Sequence, residues 1–157
     1  MKIEYYHASK YGNGVKVAEE FKRIMTAKGV MVNVHHVKKS KPNEIPAADL
    51  YVFSSPGRFG KPIGDMRGFL KKAQLDSGAT CAVLTTEMAP KPDKKTGKIP
   101  TEGSSHQRVR PIMREILQTK GFKEVAEEKV YVLGTKGPLE DGWQKKVETF
   151  AKSIPVY

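Results

Sequence analysis

The stretch KIEYYHASKYGNG, Lys2 to Gly14, decides the fold. Its first half, KIEYYH, is of β-branched and aromatic type and reads as a strand. The chain then turns through ASKYGNG, where Gly12, Asn13 and Gly14 follow one another. Glycine and asparagine tolerate backbone conformations that other residues resist, and small side chains let a ligand reach the backbone amides. Helical spacing begins at once: Val17, Ala18, Phe21, Ile24 and Met25 share one face between Val15 and Lys28, with Glu19, Glu20, Lys22 and Arg23 opposite. Amides at a helix start bind anions, helped by the helix dipole. Ser9 adds a hydroxyl, Asn13 a side-chain amide and Lys10 a positive charge. A tight strand-to-helix joint that binds nothing would use the same residues, so the rest of the chain must decide.

Working outward, Gly29 stops the helix and Val30 to Val37 alternates as a second strand. The basic turn KKSKPNEIPAAD leads into LYVFS, Leu50 to Ser54, short and apolar enough to be buried on both faces. An irregular crossover or short helix is expected between these two strands. SPGRFGKPIG has three glycines and two prolines in ten positions and reads as a loop. Ile63 to Gln74 resumes helical spacing, and Thr80 to Thr86 is another apolar strand. Glu87 to Ser105 is long, rich in Lys and Pro and without periodicity; loops of that length in compact proteins are usually functional or mobile. A helical stripe from Val109 to Leu117 ends at Gly121, Lys129 to Gly134 reads as a fifth strand, and a last helix carries Leu139, Trp143, Val147, Phe150, Ala151 and Ile154 on one face. Apolar strands alternating with amphipathic helices predict a parallel sheet covered on both faces, a doubly wound α/β fold. The 157 residues read as one domain.

Composition narrows the function classes. No apolar run approaches the roughly 20 residues of a membrane span. The opening MKIEYYHASK lacks an apolar core, so a cytoplasmic location is expected. The lone Cys81 sits in the apolar run CAVLTT and reads as a buried reduced thiol without a partner in the chain. His7, His35, His36 and His106 show no metal-type spacing; the adjacent pair on a strand points to opposite faces. They read as surface or strand-end residues, with His106 the one to test near a ligand. The net charge of +11 implies attraction to anions. The lysines are dispersed, with thickenings at Lys38 to Lys41 and Lys91 to Lys98, and no aromatics interleave with them, which argues against nucleic acid.

In a doubly wound sheet, ligands sit beyond the carboxyl ends of the strands. Three such ends lead into ASKYGNG, SSPGRFGKP and TTEMAP, loops rich in small, hydroxyl and glycine residues. Arg58 and Phe59 lie between glycines in the second; an isolated Phe in such a place is more often core than a contact to a planar ring.

SKYGNG and FSSPGRFGKPIGDMRGFL, Phe53 to Leu70, together resemble the flavodoxin family, the second segment its NAD(P)H:quinone oxidoreductase branch. Ser9, Gly12 and Asn13 match the family's phosphate loop, [ST]-x-[ST]-G-N-T; Tyr11 and Gly14 stand where hydroxyl residues are usual. The resemblance spans essentially the whole chain. It implies a flavodoxin-like open sheet of five parallel strands in order 2-1-3-4-5, with helices on both faces. It also implies non-covalent FMN, the phosphate on Ser9, Lys10, Tyr11, Gly12, Asn13 and Gly14. The flavin ring would lie between Ser55, Pro56, Gly57, Arg58, Phe59 and Gly60 on one side and Thr85, Thr86 and Glu87 on the other. In the family a glycine peptide in the second loop can rotate when the flavin is reduced, a part Gly57 or Gly60 can play.

Two departures shape the functional expectation. No aromatic lies between Cys81 and His106 to stack on a flavin, leaving that face open or covered by Met88 or the lysine loop. The chain is also basic, where flavodoxins are typically acidic. The expected function is a low-potential FMN electron carrier that docks an acidic redox partner, with a second copy of the chain as another occupant of the open third loop. An FMN-dependent NAD(P)H or quinone oxidoreductase, and a binding module that has lost flavin, are the alternatives.

Overall fold

The computed structural model describes residues 1–99 and 107–156. Strand β1 (Lys2–His7) is followed by helix α1 (Asn13–Ala27), β2 (Met31–His36) and a 3-10 turn (Val37–Lys39). Next come β3 (Leu50–Ser54), the two-residue strands β4 (Gly57–Arg58) and β5 (Lys61–Pro62), and α2 (Gly64–Lys72). Then β6 (Thr80–Met88), α3 (Val109–Thr119), β7 (Lys123–Val132) and α4 (Trp143–Lys152) complete the order.

The main sheet has five strands in the order β2-β1-β3-β6-β7, all parallel. Counting only these five, this is the expected 2-1-3-4-5. Alternation along the strands builds two cores. Ile3, Tyr5, Val52, Ala82 and Leu84 pack under α1 and α4; Tyr6, Phe53, Cys81 and Val83 pack under α2 and α3. β3 is buried along its whole length, as a central parallel strand must be. Cys81 is fully buried, and burial together with Glu124 pushes its thiol up to about 12.

Several boundaries differ from the sequence reading. β7 starts at Lys123, not Lys129, because Glu124, Glu127 and Glu128 mask its alternation. α4 starts at Trp143, since Leu139 instead bridges Val132 antiparallel. The crossover from β2 holds only the 3-10 turn; the Tyr51 hydroxyl then pins it, accepting from the Ala48 N–H (2.9 Å) and donating to the Pro46 carbonyl (3.1 Å). The Pro56–Gly64 loop contains a hairpin, β4 paired with β5. Its two turn residues, Phe59 (φ 52°) and Gly60 (φ 74°), both have positive φ, the signature of a type I′ turn. Among the described residues no helix is long and apolar enough to cross a membrane.

Phe21 is fully buried between Tyr5 (ring centroids 5.4 Å apart) and Phe150 (5.6 Å), joining α1, the sheet and α4. Phe21→Ala is expected to cost about 3–5 kcal/mol in urea unfolding; a loss below about 1 kcal/mol would mean this contact is not structural.

Candidate functional site

Hydrogen bonding continues past the strand ends. The Ala8 N–H donates to the Ser54 carbonyl (3.2 Å), the Thr86 N–H donates to the Ser55 carbonyl (3.1 Å), and Pro56 bridges Thr86. These bonds hold the three loops on one rim, around a cavity of about 630 Å³. Ser9, Lys10, Tyr11, Asn13 and Gly14 line it from the first loop, Pro56, Gly57, Arg58, Phe59 and Gly60 from the second, and Thr86 from the third. Gly12, Ser55, Thr85 and Glu87 do not line it.

In the first loop, Gly12 (φ 93°) sits immediately before α1 and its N–H donates to Ser9 Oγ (3.2 Å). No side chain caps α1 and its first turn carries no acid, so the first amides of the helix face the cavity rim without a side-chain acceptor. A Cβ on Gly14 would come within 3.0 Å of Ser9 Cβ, so a side chain there would need the first loop to give slightly. Asn13 packs against the loop after β7: a Cβ on Gly137 would lie 2.8 Å from Asn13 Oδ1.

Two histidines clamp the peptide groups of Ser9. The Ser9 N–H donates to His7 Nδ1 (3.2 Å). His36 accepts from the Lys38 N–H at Nδ1 (3.1 Å), so its Nε2–H donates to the Ser9 carbonyl (2.9 Å). His7 and His36 are register partners with ring centroids 5.0 Å apart. Burial, then the neighbouring His36 and His35, lowers His7 to about 4. His35 points to the opposite face, where with Asn33 and Lys2 it binds the buried Glu4. Burial opposes ionisation of Glu4, yet these partners hold its carboxyl below the usual range. Thus His7 stands at a strand end, as expected of it, but is buried, while His106 lies outside the described residues.

The second loop is fixed at both ends. The Ile63 N–H donates to the Pro56 carbonyl (3.2 Å) and Ser55 Oγ (3.3 Å), and the Arg108 N–H donates to the Gly60 carbonyl (2.8 Å). A Cβ on Gly57 would stand 2.8 Å from Val109 Cγ2, so only glycine lets the hairpin lie against α3. Phe59 is not core: it is 84% exposed at the hairpin tip, with the Arg58 guanidinium 5.7 Å from its ring centre.

At the third loop, alternation sends Thr86 toward the cavity and Thr85 and Glu87 toward α3. Thr85 donates to Glu87, and Glu87 accepts from Arg110 Nε (2.9 Å). Arg110 also reaches Glu127 (3.1 Å), which Arg114 binds as well (2.6 Å). A bulge in the β6–β7 register, where Cys81 pairs with Glu124 but Ala82 with Ala126, brings Glu124 and Glu127 to one face. Burial, with Glu127 beside it, pushes Glu124 well above the usual carboxylate range. The arginines hold Glu127 low despite its burial.

Sequence reading missed Ile63, Ala89, Pro90, Lys91, Gln107, Val132 and Thr135, which also line the cavity. Val132 and Thr135 stand at the end of β7, a signal available once the fifth strand is placed. Met88 is on the wall as well. Among the described residues no carboxylate, imidazole or thiol lines the cavity.

No protein-family model matches the sequence, and no curated protein sequence matches it. Solved structures do. Oxidised flavodoxin 2 from Bacillus cereus superposes with a TM-score of 0.74 at 19% identity, covering 98% of this chain and 97% of that one. The chain has the flavodoxin fold. A Fusobacterium nucleatum flavodoxin bound to flavin mononucleotide matches at TM-score 0.64 and 12% identity, over 96% of this chain and 95% of that one. Rubredoxin oxygen:oxidoreductase from Desulfovibrio gigas matches at 0.70 and 16%, over 98% of this chain but 35% of its own. This chain therefore spans about a third of that larger protein. In the flavodoxin fold the cavity lies where the architecture puts ligands, beyond the carboxyl ends of the strands.

The histidine clamp has a pH signature. His7 is neutral in the fold and takes up a proton on unfolding below about pH 6.5. Its contribution to stability is complete above that pH and is lost as pH falls toward about 4, by up to about 1.4 kcal/mol per pH unit. Urea unfolding at a series of pH values should show this slope, and His7→Gln should flatten it; an unchanged slope in the variant would assign it elsewhere.

Proposed function

We propose that this cavity binds FMN and that the chain is an electron carrier. The observation supporting this reading is the convergence of all three sequence-marked loops on one cavity, with an uncapped helix start at one end and a glycine hairpin at the other. The residues fit the group. The amides of α1 and Lys10 suit a phosphate, and the slot between Pro56–Gly60 and Met88–Lys91 suits a flat ring. The volume is within the range of ligand pockets, about 300–1,000 Å³. FMN, when bound, supplies reversible electron transfer in single or paired steps. The chain's part is to hold the cofactor, to exclude water with Tyr11, Phe59 and Met88, and to set the local charge.

Among the described residues no carboxylate, imidazole or thiol lines the wall, which favours a carrier over an enzyme that needs such a general acid or base. Purified protein mixed with FMN should turn yellow, quench flavin fluorescence stoichiometrically and show no steady-state oxidation of NADPH. Flavin fluorescence left at its free value would reject the cofactor, and sustained NADPH turnover would replace the carrier with the oxidoreductase alternative.

Lys10, Arg58 and Lys91 put three fixed positive charges on the wall. At about 10 Å in water-like dielectric, each offers roughly 0.4 kcal/mol to one added negative charge, less in salt. Potentiometric titration of the FMN complex should therefore give a more negative second-electron potential in Lys10→Gln/Lys91→Gln than in the unmodified chain. The difference should shrink as salt is raised; equal potentials would remove charge from the account.

A further inference from the structure

A second cavity, about 480 Å³, runs between α2 and α3 and begins where the first ends: Gly60 lines the first and Lys61 the second. Lys61, Arg67, Lys71, Arg108 and Lys120 surround it, against a single carboxylate, Glu115. Among the described residues none of these five cations forms an ion pair. Two are nonetheless held in place. Arg67 Nε donates to the Pro62 carbonyl (3.0 Å) and Lys120 Nζ to the Lys71 carbonyl (2.9 Å). Carbonyls orient these side chains without neutralising them, so the groove keeps its positive charge. Its floor is apolar, formed by Ile112 and Ile116.

We infer that this groove, together with Phe59 at the hairpin tip, is the docking surface for an acidic protein. Charge complementarity selects an anionic partner. The apolar floor and the exposed aromatic select a protein over a small phosphate: neither Ile112, Ile116 nor Phe59 has a use for a phosphate, whereas Arg and aromatic anchors beside apolar ground are typical of protein interfaces. Phe59 also holds positive φ while 84% exposed, a conformation costly for an aromatic residue and unrewarded by any burial in the isolated chain. The Arg108 N–H on the Gly60 carbonyl joins the groove wall to the hairpin of the first cavity, so a partner seated here lies next to that cavity. That the partner is a redox protein rests on the FMN reading; the groove and its preference for acidic protein do not.

The test uses a fluorescein-labelled amphipathic peptide with one Glu face and one Leu face, titrated into the full chain by anisotropy, with and without saturating FMN. Arg67→Glu/Arg108→Glu should weaken binding about tenfold or more. Lys94→Glu/Lys95→Glu, the same charge change outside the groove, should change it less than about twofold. Phe59→Ala should weaken it several-fold with the charge intact. If the arginine variant is misfolded by circular dichroism, Lys61→Glu/Lys71→Glu carries the same expectation. Equal losses in groove and control variants would overturn the site. Displacement by inorganic triphosphate, with Phe59→Ala silent, would overturn the protein partner in favour of a phosphate ligand. Flavin absorbance is read separately in the same samples. Peptide binding without FMN binding would end the cofactor reading alone, and FMN binding without groove-dependent peptide binding would end this one alone.

Discussion

Two backbone hydrogen bonds at the carboxyl ends of the strands set the geometry of the candidate site. Ala8 bonds to Ser54 and Thr86 to Ser55, extending the β1–β3 and β3–β6 ladders past the ends of β1 and β3. Without them the loops would leave the sheet in unrelated directions. With them, a helix start, a glycine hairpin and the Met88 segment face one another across a single cavity. The constraint is cheap, because each of these amides would need an acceptor anyway. It also explains why small residues gather here: a Cβ on Gly57 would strike Val109, and one on Gly14 would crowd Ser9.

Charge is divided between interior and surface. Inside, Glu4 sits among His35, Asn33 and Lys2, and Glu87 and Glu127 sit among Arg110 and Arg114. Removing one member of such a group leaves a buried charge unpaired, which is far costlier than the pair's net value. Outside, the excess of lysine and arginine is largely uncompensated, and the α2–α3 groove gathers part of it beside the hairpin. On the proposed reading, a basic carrier would seek acidic partners, the reverse of the charge arrangement expected for acidic flavodoxins.

Much of the fold was legible in the sequence. β1 and β3 have the bounds that alternation and aromatic content assign, because both are buried strands between clear turn signals. β7 was half hidden, since half-buried glutamates at positions 124, 127 and 128 look like a solvated segment until Arg110 and Arg114 are brought to two of them. The first loop was legible from glycine and asparagine, the second from glycine and proline. What was not legible is which way each side chain turns. Thr85 and Glu87 follow the two-residue period to the α3 face, while Thr86 alone reaches the cavity. Phe59 looked like core because an isolated aromatic usually is, and only the positive φ of the turn carries it outward. The roles of His7 and His36 depend on parallel register, which places them side by side although they are 29 positions apart.

The most direct test of the cavity is a two-dimensional amide NMR titration of the labelled chain with FMN. The account predicts that amide resonances of residues 9–14, 57–60, 86–89 and Lys91 shift together and saturate at one equivalent, while those of the α2–α3 groove stay fixed. Shifts scattered over the surface, or confined to one loop, would contradict a shared site.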